Sequence, residues 1–278
     1  MRLYLELAKK SFQRQVAYRS ATIAGFATNV FFGGLRASIL IAVFDAQTRD
    51  AQTPGAHMPG ALSIIAGYSV RDAVTYTGVT QALIAMTALW GWFDMIRSIK
   101  SGEVASDLAK PFDYYGFWLA QDVGRGVYQL VARGVTIMAV FVALFGASLP
   151  ATAEQWALAM ISVALALLLS FAWRFLVSTI AFWATDALGI ARMLYFLMTF
   201  PSGFVVPVAF MPDWLQALCY ATPFPSFINT PVEVYLGRAQ GADGLGLIAV
   251  QALWLAALVA LGRGAAEAGR RKLTIQGG

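Results

Sequence analysis

Charge is what this sequence has least of. Charged residues fill 13% of its 278 positions, where an average soluble domain carries about 25%. Thiols and imidazoles are scarcer still. Cys219 is the single cysteine, so no disulfide can close within the chain. With His57 as the single histidine, neither an HExxH helix nor a zinc site of the usual kind can be assembled. Cys219 reads as a small apolar residue, and His57 lies in a Pro/Gly-rich loop. No GxxxxGK[ST] loop exists, since no lysine follows a glycine, and this chain does not hold ATP by that route. GxSxG is absent too. The link Asp186–Arg192 departs from the DGxxAR pattern of membrane phosphatidyltransferases: Ala187 replaces the glycine, and no spaced aspartates follow. No paired carboxylates face each other inside an apolar run, and Asp45, Asp72, Asp94 and Asp186 all sit at the ends of such runs.

Apolar residues, 59% of the chain, come in long blocks. A helix crossing the hydrocarbon core needs ~20 of them. The blocks predict an all-α integral membrane fold with six transmembrane helices. They are expected near 21–44, 73–93, 126–148, 156–184, from Met193 onward, and 244–262, with the third helix beginning near Tyr114. Residues 1–20 are too basic to cross, with Arg2, Lys9, Lys10, Arg14 and Arg19. Their Leu5, Ala8, Phe12 and Val16 recur at helical spacing, which predicts an amphipathic helix lying on membrane lipid. Pro201, Gly203 and Pro207 interrupt the fifth block, and residues 212–243 are rich in breakers.

Lysine and arginine set the orientation. With the N-terminus inside, fourteen fall in inner segments, three (Arg49, Arg71, Arg238) in outer ones, and three (Arg36, Arg133, Arg174) within spans. Both termini are therefore expected on the cytoplasmic side. The net charge of +5 follows from topology, and nucleic acid is not a predicted partner. Arg133 and Arg174, near the inner ends of their spans, are expected to snorkel to the headgroups. Arg36 sits ~24 Å along the first span, where a charge is costly and often functional.

The first inner loop, 94–116, is the most informative. Ser101 is placed to cap a short helix, Glu103 sits in its first turn, and Pro111 stops it. Val104 and Leu108 share one face, with Glu103, Ser106 and Asp107 around them. Such a helix either rests on lipid or docks a cytoplasmic protein.

Five segments together carry a family likeness: YRSATIAGF, IKSGEVASDLAKPFDYY, IAFWATDALGIAR, FPSGFVVPVAFMPDWLQALCYATPFPSFINTPVEVYLG and RRKLTIQGG. The chain resembles the membrane subunits of bacterial type-2 ABC exporters, most of all the viologen-exporter-like permeases. The resemblance covers nearly all of 1–278 and implies a single transmembrane permease domain, not an enzyme. It implies a second permease subunit, same or related, and cytoplasmic ATPase subunits that hold ATP and Mg; no cofactor is bound by this chain. It makes Ser101, Gly102, Glu103, Val104, Ser106, Asp107, Leu108 and Pro111 the coupling helix. It makes residues 201–237 an outer re-entrant cap of two helices broken at Pro223 and Pro225, with Pro201, Gly203, Pro207, Trp214 and Pro223 as cap and hinge. Arg36, Tyr76, Met86, Tyr195, Phe196 and Phe200 are the pathway candidates. Tyr76, Met86, Trp90, Tyr195, Phe196, Met198 and Phe200 form an aromatic and methionine-rich set suited to an amphipathic or cationic drug; with the resemblance this makes multidrug efflux the expectation, a lipid or peptide being the alternative cargo. A secondary transporter, or a membrane enzyme acting on lipid, is the competing reading.

Overall fold

The computed structural model describes residues 2–51 and 64–272. His57, most of its loop and the last six residues lie outside them. Among the described residues the fold is all helical, with one isolated bridge between Ile65 and Tyr68 and no strand.

Helix α1, Arg2–Ala17, is followed after Tyr18 by α2, Arg19–Ala51. Basic residues are too dense for α1 to cross a membrane. It lies against α6, Tyr114–Gln129, where Ser11 Oγ donates to the Gln121 carbonyl at 2.6 Å and Phe12 meets Tyr128 edge-on. Gly124 makes this possible: a Cβ there would stand 2.0 Å from the Ala8 carbonyl oxygen.

Helix α3, Val70–Thr87, opens on a reciprocal cap, Ser69 with Asp72. The short α4 (Asp94–Ser101) and α5 (Val104–Leu108) follow, and α6 continues through a π-turn, Leu130–Gly134, into α7, Val135–Phe145. Helix α8, Ala153–Ser178, begins at Thr152, whose hydroxyl accepts from the Gln155 N–H. Then come α9 (Ala187–Thr199), α10 (Asp213–Tyr220), α11 (Asn229–Tyr235) and α12 (Gly241–Arg270).

The expectation of six spans is corrected to four. Among the described residues, the helices long and apolar enough to cross a membrane are Arg19–Ala46, Tyr114–Phe145, Ala153–Phe182 and Gly241–Arg270. The expected second span fails on composition. Helix α3 carries Thr75, Thr77, Thr80, Gln81 and Thr87, all buried in protein. Its threonine hydroxyls are satisfied by its own carbonyls, at Arg71, Ala73, Tyr76 and Leu83. A helix enclosed by others is free of the composition that lipid demands. The expected fifth span fails on length: 13 residues of α9 cover about 20 Å, short of a ~30 Å hydrocarbon core.

The expected re-entrant pair across 201–237 is corrected as well. The segment holds four short, separate pieces, Val208–Phe210, Asp213–Tyr220, Phe224–Phe227 and Asn229–Tyr235. The longest has eight residues, about 12 Å, too short to enter and leave a membrane. Buried Asn229 organises them. Its Oδ1 accepts from the Val208 N–H at 3.2 Å, its N–H donates to the Ser202 carbonyl at 3.0 Å, and its Nδ2 reaches the Tyr220 hydroxyl at 3.3 Å.

Candidate functional site

One side of the bundle's interior is charged. Asp122, in the middle of α6, is fully buried. Both terminal nitrogens of Arg174 on α8 donate to its carboxylate, at 2.9 and 2.8 Å, and Arg125 Nε donates at 2.9 Å. Arg125 also sends its other two nitrogens to the Ala85 and Met86 carbonyls, each at 2.8 Å. Those carbonyls belong to the last turn of α3, which has no N–H donors of its own beyond it, and a cation suits that negative helix end. One carboxylate thus ties α3, α6 and α8 at a single point.

This corrects two readings. Arg174 does not snorkel; it is 1% exposed and paired with Asp122. An intramembrane carboxylate also exists. Asp122 precedes the apolar run 126–148 expected as the third span, so hydropathy alone does not place it in the membrane. The signal was the Asp122–Arg125 pair three residues apart in an otherwise apolar helix.

The second feature is the turn between α4 and α5. Ser101 ends α4 instead of capping α5, and Gly102 turns the chain at φ +82° with nothing within 4 Å of where a Cβ would stand. Glu103 starts α5 with no side-chain cap. Val104 is fully buried, Leu108 packs half-buried on the core, and Asp107 pairs with Lys110 at 2.8 Å. Ser101, Gly102, Glu103, Ser106 and Pro111 are exposed. The apolar side of this segment is therefore filled, while its polar tip is open. Lys100 anchors it by donating to the Thr185 carbonyl at 2.5 Å, and Arg263 of α12 reaches Asp113 at 2.7 Å. Basic residues gather at this end of the molecule.

The opposite end is held by Tyr68, Glu233 and Arg238. Tyr68 donates to Glu233, Arg238 Nε donates to Glu233 at 3.0 Å, and the Arg238 guanidinium lies over the Tyr68 ring at 4.0 Å. Burial pushes the Glu233 carboxyl above its usual range, against the Tyr68 hydrogen bond and the Arg238 charge. Cys219 is buried beside Met211, and burial pushes its thiol up.

The family model described as ABC-2 family transporter protein matches residues 60–277, most of the chain. The chain belongs to the ABC-2 transporter family. No individually curated protein matches it. ABC-2 membrane proteins typically work with ATPase subunits, and the four long apolar helices make this one an integral membrane protein. Among the described residues no three His, Cys, Asp or Glu side chains gather as metal ligands.

The pathway candidates of this ABC-2 protein differ in burial. Tyr76, Met86 and Tyr195 are buried in the core, while Phe196 and Phe200 of the α9 face are exposed. Tyr76 donates to the Gly203 carbonyl at 2.7 Å and contacts Asn229 Oδ1 at 3.0 Å. Arg36 donates to the Val205 carbonyl at 2.9 Å and stacks on Phe204 at 5.0 Å. Both residues thus hold the segment after α9. Pro201 and Pro223 are half-buried, Gly203 (φ +80°) and Pro207 are buried, and Trp214 is exposed.

Proposed function

We propose that the chain is the membrane-spanning permease of an ATP-driven exporter, working as a dimer on cytoplasmic ATPase subunits that dock at the turn 101–106. The observation that carries this is the exposed Ser101–Gly102–Glu103 tip, mounted on helices whose apolar sides are already filled. A turn of that build is rigidly held yet open to a protein partner. Motion imposed on it passes to α4 and, through the short connection 88–93, to the end of α3 held by Arg125. The basic residues at the same end support a cytoplasmic location for the turn and both termini, in a bacterial inner membrane. An amphipathic cargo, and a place in the viologen-exporter-like branch, rest on the resemblance of the segments quoted above.

The test is recovery of partners from the native cells in mild detergent, read by mass spectrometry. Wild type should carry a soluble ATPase. A variant with Glu103→Arg and Ser106→Arg, both at exposed positions, should insert normally and lose it. Loss of ATPase from neither form, or its absence from both correctly inserted forms, would refute docking at this turn.

A further inference from the structure

Two arginines at membrane depth have no carboxylate partner among the described residues: Arg36 and Arg133. Arg133 lies in the π-turn Leu130–Gly134, twelve residues before the end of the span at Phe145. That places it about 18 Å from the outer end at 1.5 Å per residue, well inside the hydrocarbon depth. A π-turn within an α-helix re-aims side chains and is often functional. Here it sends the guanidinium to α2, against the bare Cα of Gly25, where an added Cβ would be 2.7 Å away. Its one polar contact is long, Nη1 to Gln129 Oε1 at 3.4 Å, and its Nε is buried without a partner.

Arg133 lines a cavity of about 170 Å³, which Asn29, Ala88, Trp90 and Gly91 also line. The far wall is irregular backbone, with Ala88 at φ +47° and Gly91 at φ +95°. Irregular backbone at membrane depth is tolerated where it is buried in protein or lines a wet cavity. Ala88 in the left-handed region is strained, since its Cβ crowds the backbone there. Trp90 is 60% exposed at the mouth of the cavity and contacts Phe204 edge-on, and Phe204 in turn carries Arg36. A stripe of cation, aromatic, aromatic, cation therefore runs beside α2. The cavity is large enough for a small headgroup with water, and its charge is uncompensated.

We propose that this cavity binds the anionic headgroup of an amphiphile, with Arg133 as the counter-charge and Trp90 against the start of the chain. The headgroup is a phosphate, sulfate or carboxylate, and the Arg133 charge at the cavity wall disfavours a cation. The site stands apart from the transport reading, since its test needs neither ATP nor an ATPase.

The experiment is quenching of Trp90 fluorescence in zwitterionic nanodiscs, isolated by subtracting a Trp90→Phe variant. Three chain-brominated probes are titrated: a fatty carboxylate, a phosphatidylglycerol and an alkyltrimethylammonium. Wild type should be half-quenched by an anionic probe at a concentration at least ~5-fold below that for the cation. Arg133→Gln should abolish the preference, Arg133→Lys should keep it, and Gly25→Ala, which displaces the guanidinium, should weaken it. Preference for phosphatidylglycerol alone assigns the site to a bilayer lipid, and preference for the carboxylate assigns it to a free amphiphile. Equal quenching by anion and cation, or a preference that survives Arg133→Gln, would overturn the proposal.

Discussion

Replacing Asp122 with asparagine removes one charge and almost no volume, so its cost isolates the ion cluster. In wild type the two guanidiniums of Arg125 and Arg174 face one fully buried carboxylate. With asparagine both cations stay buried beside each other without an anion. Removing one partner of a buried pair typically costs about 3–5 kcal/mol, because the remaining charge has nowhere to go. At about 2–4 °C per kcal/mol for a chain of this size, the melting temperature should fall by about 6–20 °C. The assay is a thermal unfolding curve in detergent, followed by monodisperse size-exclusion signal. Arg174→Gln should cost a similar amount. The double variant Asp122→Asn with Arg174→Gln should cost clearly less than the sum, since the residues share one interaction. A drop under 2 °C for Asp122→Asn, or full additivity in the double variant, would refute the view that this cluster ties three helices together.

Gly124→Leu should push α1 off α6, because even a Cβ overlaps the Ala8 backbone; faster proteolysis of residues 2–17 is the readout, and unchanged cleavage would sink the packing argument. Glu233 carries a pH signature. Its folded pKa lies above the unfolded value of about 4.3, so its contribution is fully present below that value and is lost as pH rises through the folded pKa. Compared with Glu233→Gln, wild type should lose stability over that rise, and parallel pH–stability curves would contradict it. Cys219, 2% exposed and with a raised pKa, should resist maleimide in the folded protein and react fully after denaturation.

The long apolar helices were legible because lipid demands one composition over ~20 residues, and α2, α8 and α12 meet it plainly. Helix α3 was legible as a helix but not in its end. Residues 88–90 hold neither glycine nor proline, and Arg125, which donates to the α3 carbonyls of Ala85 and Met86, lies 40 and 39 positions away from them. No local pattern announces a stop imposed from that distance. The turn at Gly102 was legible in its residues, yet Ser101 closes one helix where it was expected to open the next. Both roles suit a small polar residue beside glycine, and only the backbone decides. Arg174 was misread for a similar reason. Its sequence neighbours are all apolar, and its partner is on another helix. Asp122 and Arg125, by contrast, lay in plain view three residues apart.

The docking of α1 on Gly124 has a consequence in time. Ala8 leaves the ribosome 116 residues before the glycine that receives it. At about 5–20 residues per second of synthesis, the first helix waits roughly 6–23 s for its seat. During that interval Ala8, Ser11 and Phe12, which meet α6 in the fold, have only the bilayer surface or a chaperone to lie against. Helix α1 is thus fixed in place only once α6 has been made, and a slow stretch of translation before α6 would lengthen its exposure.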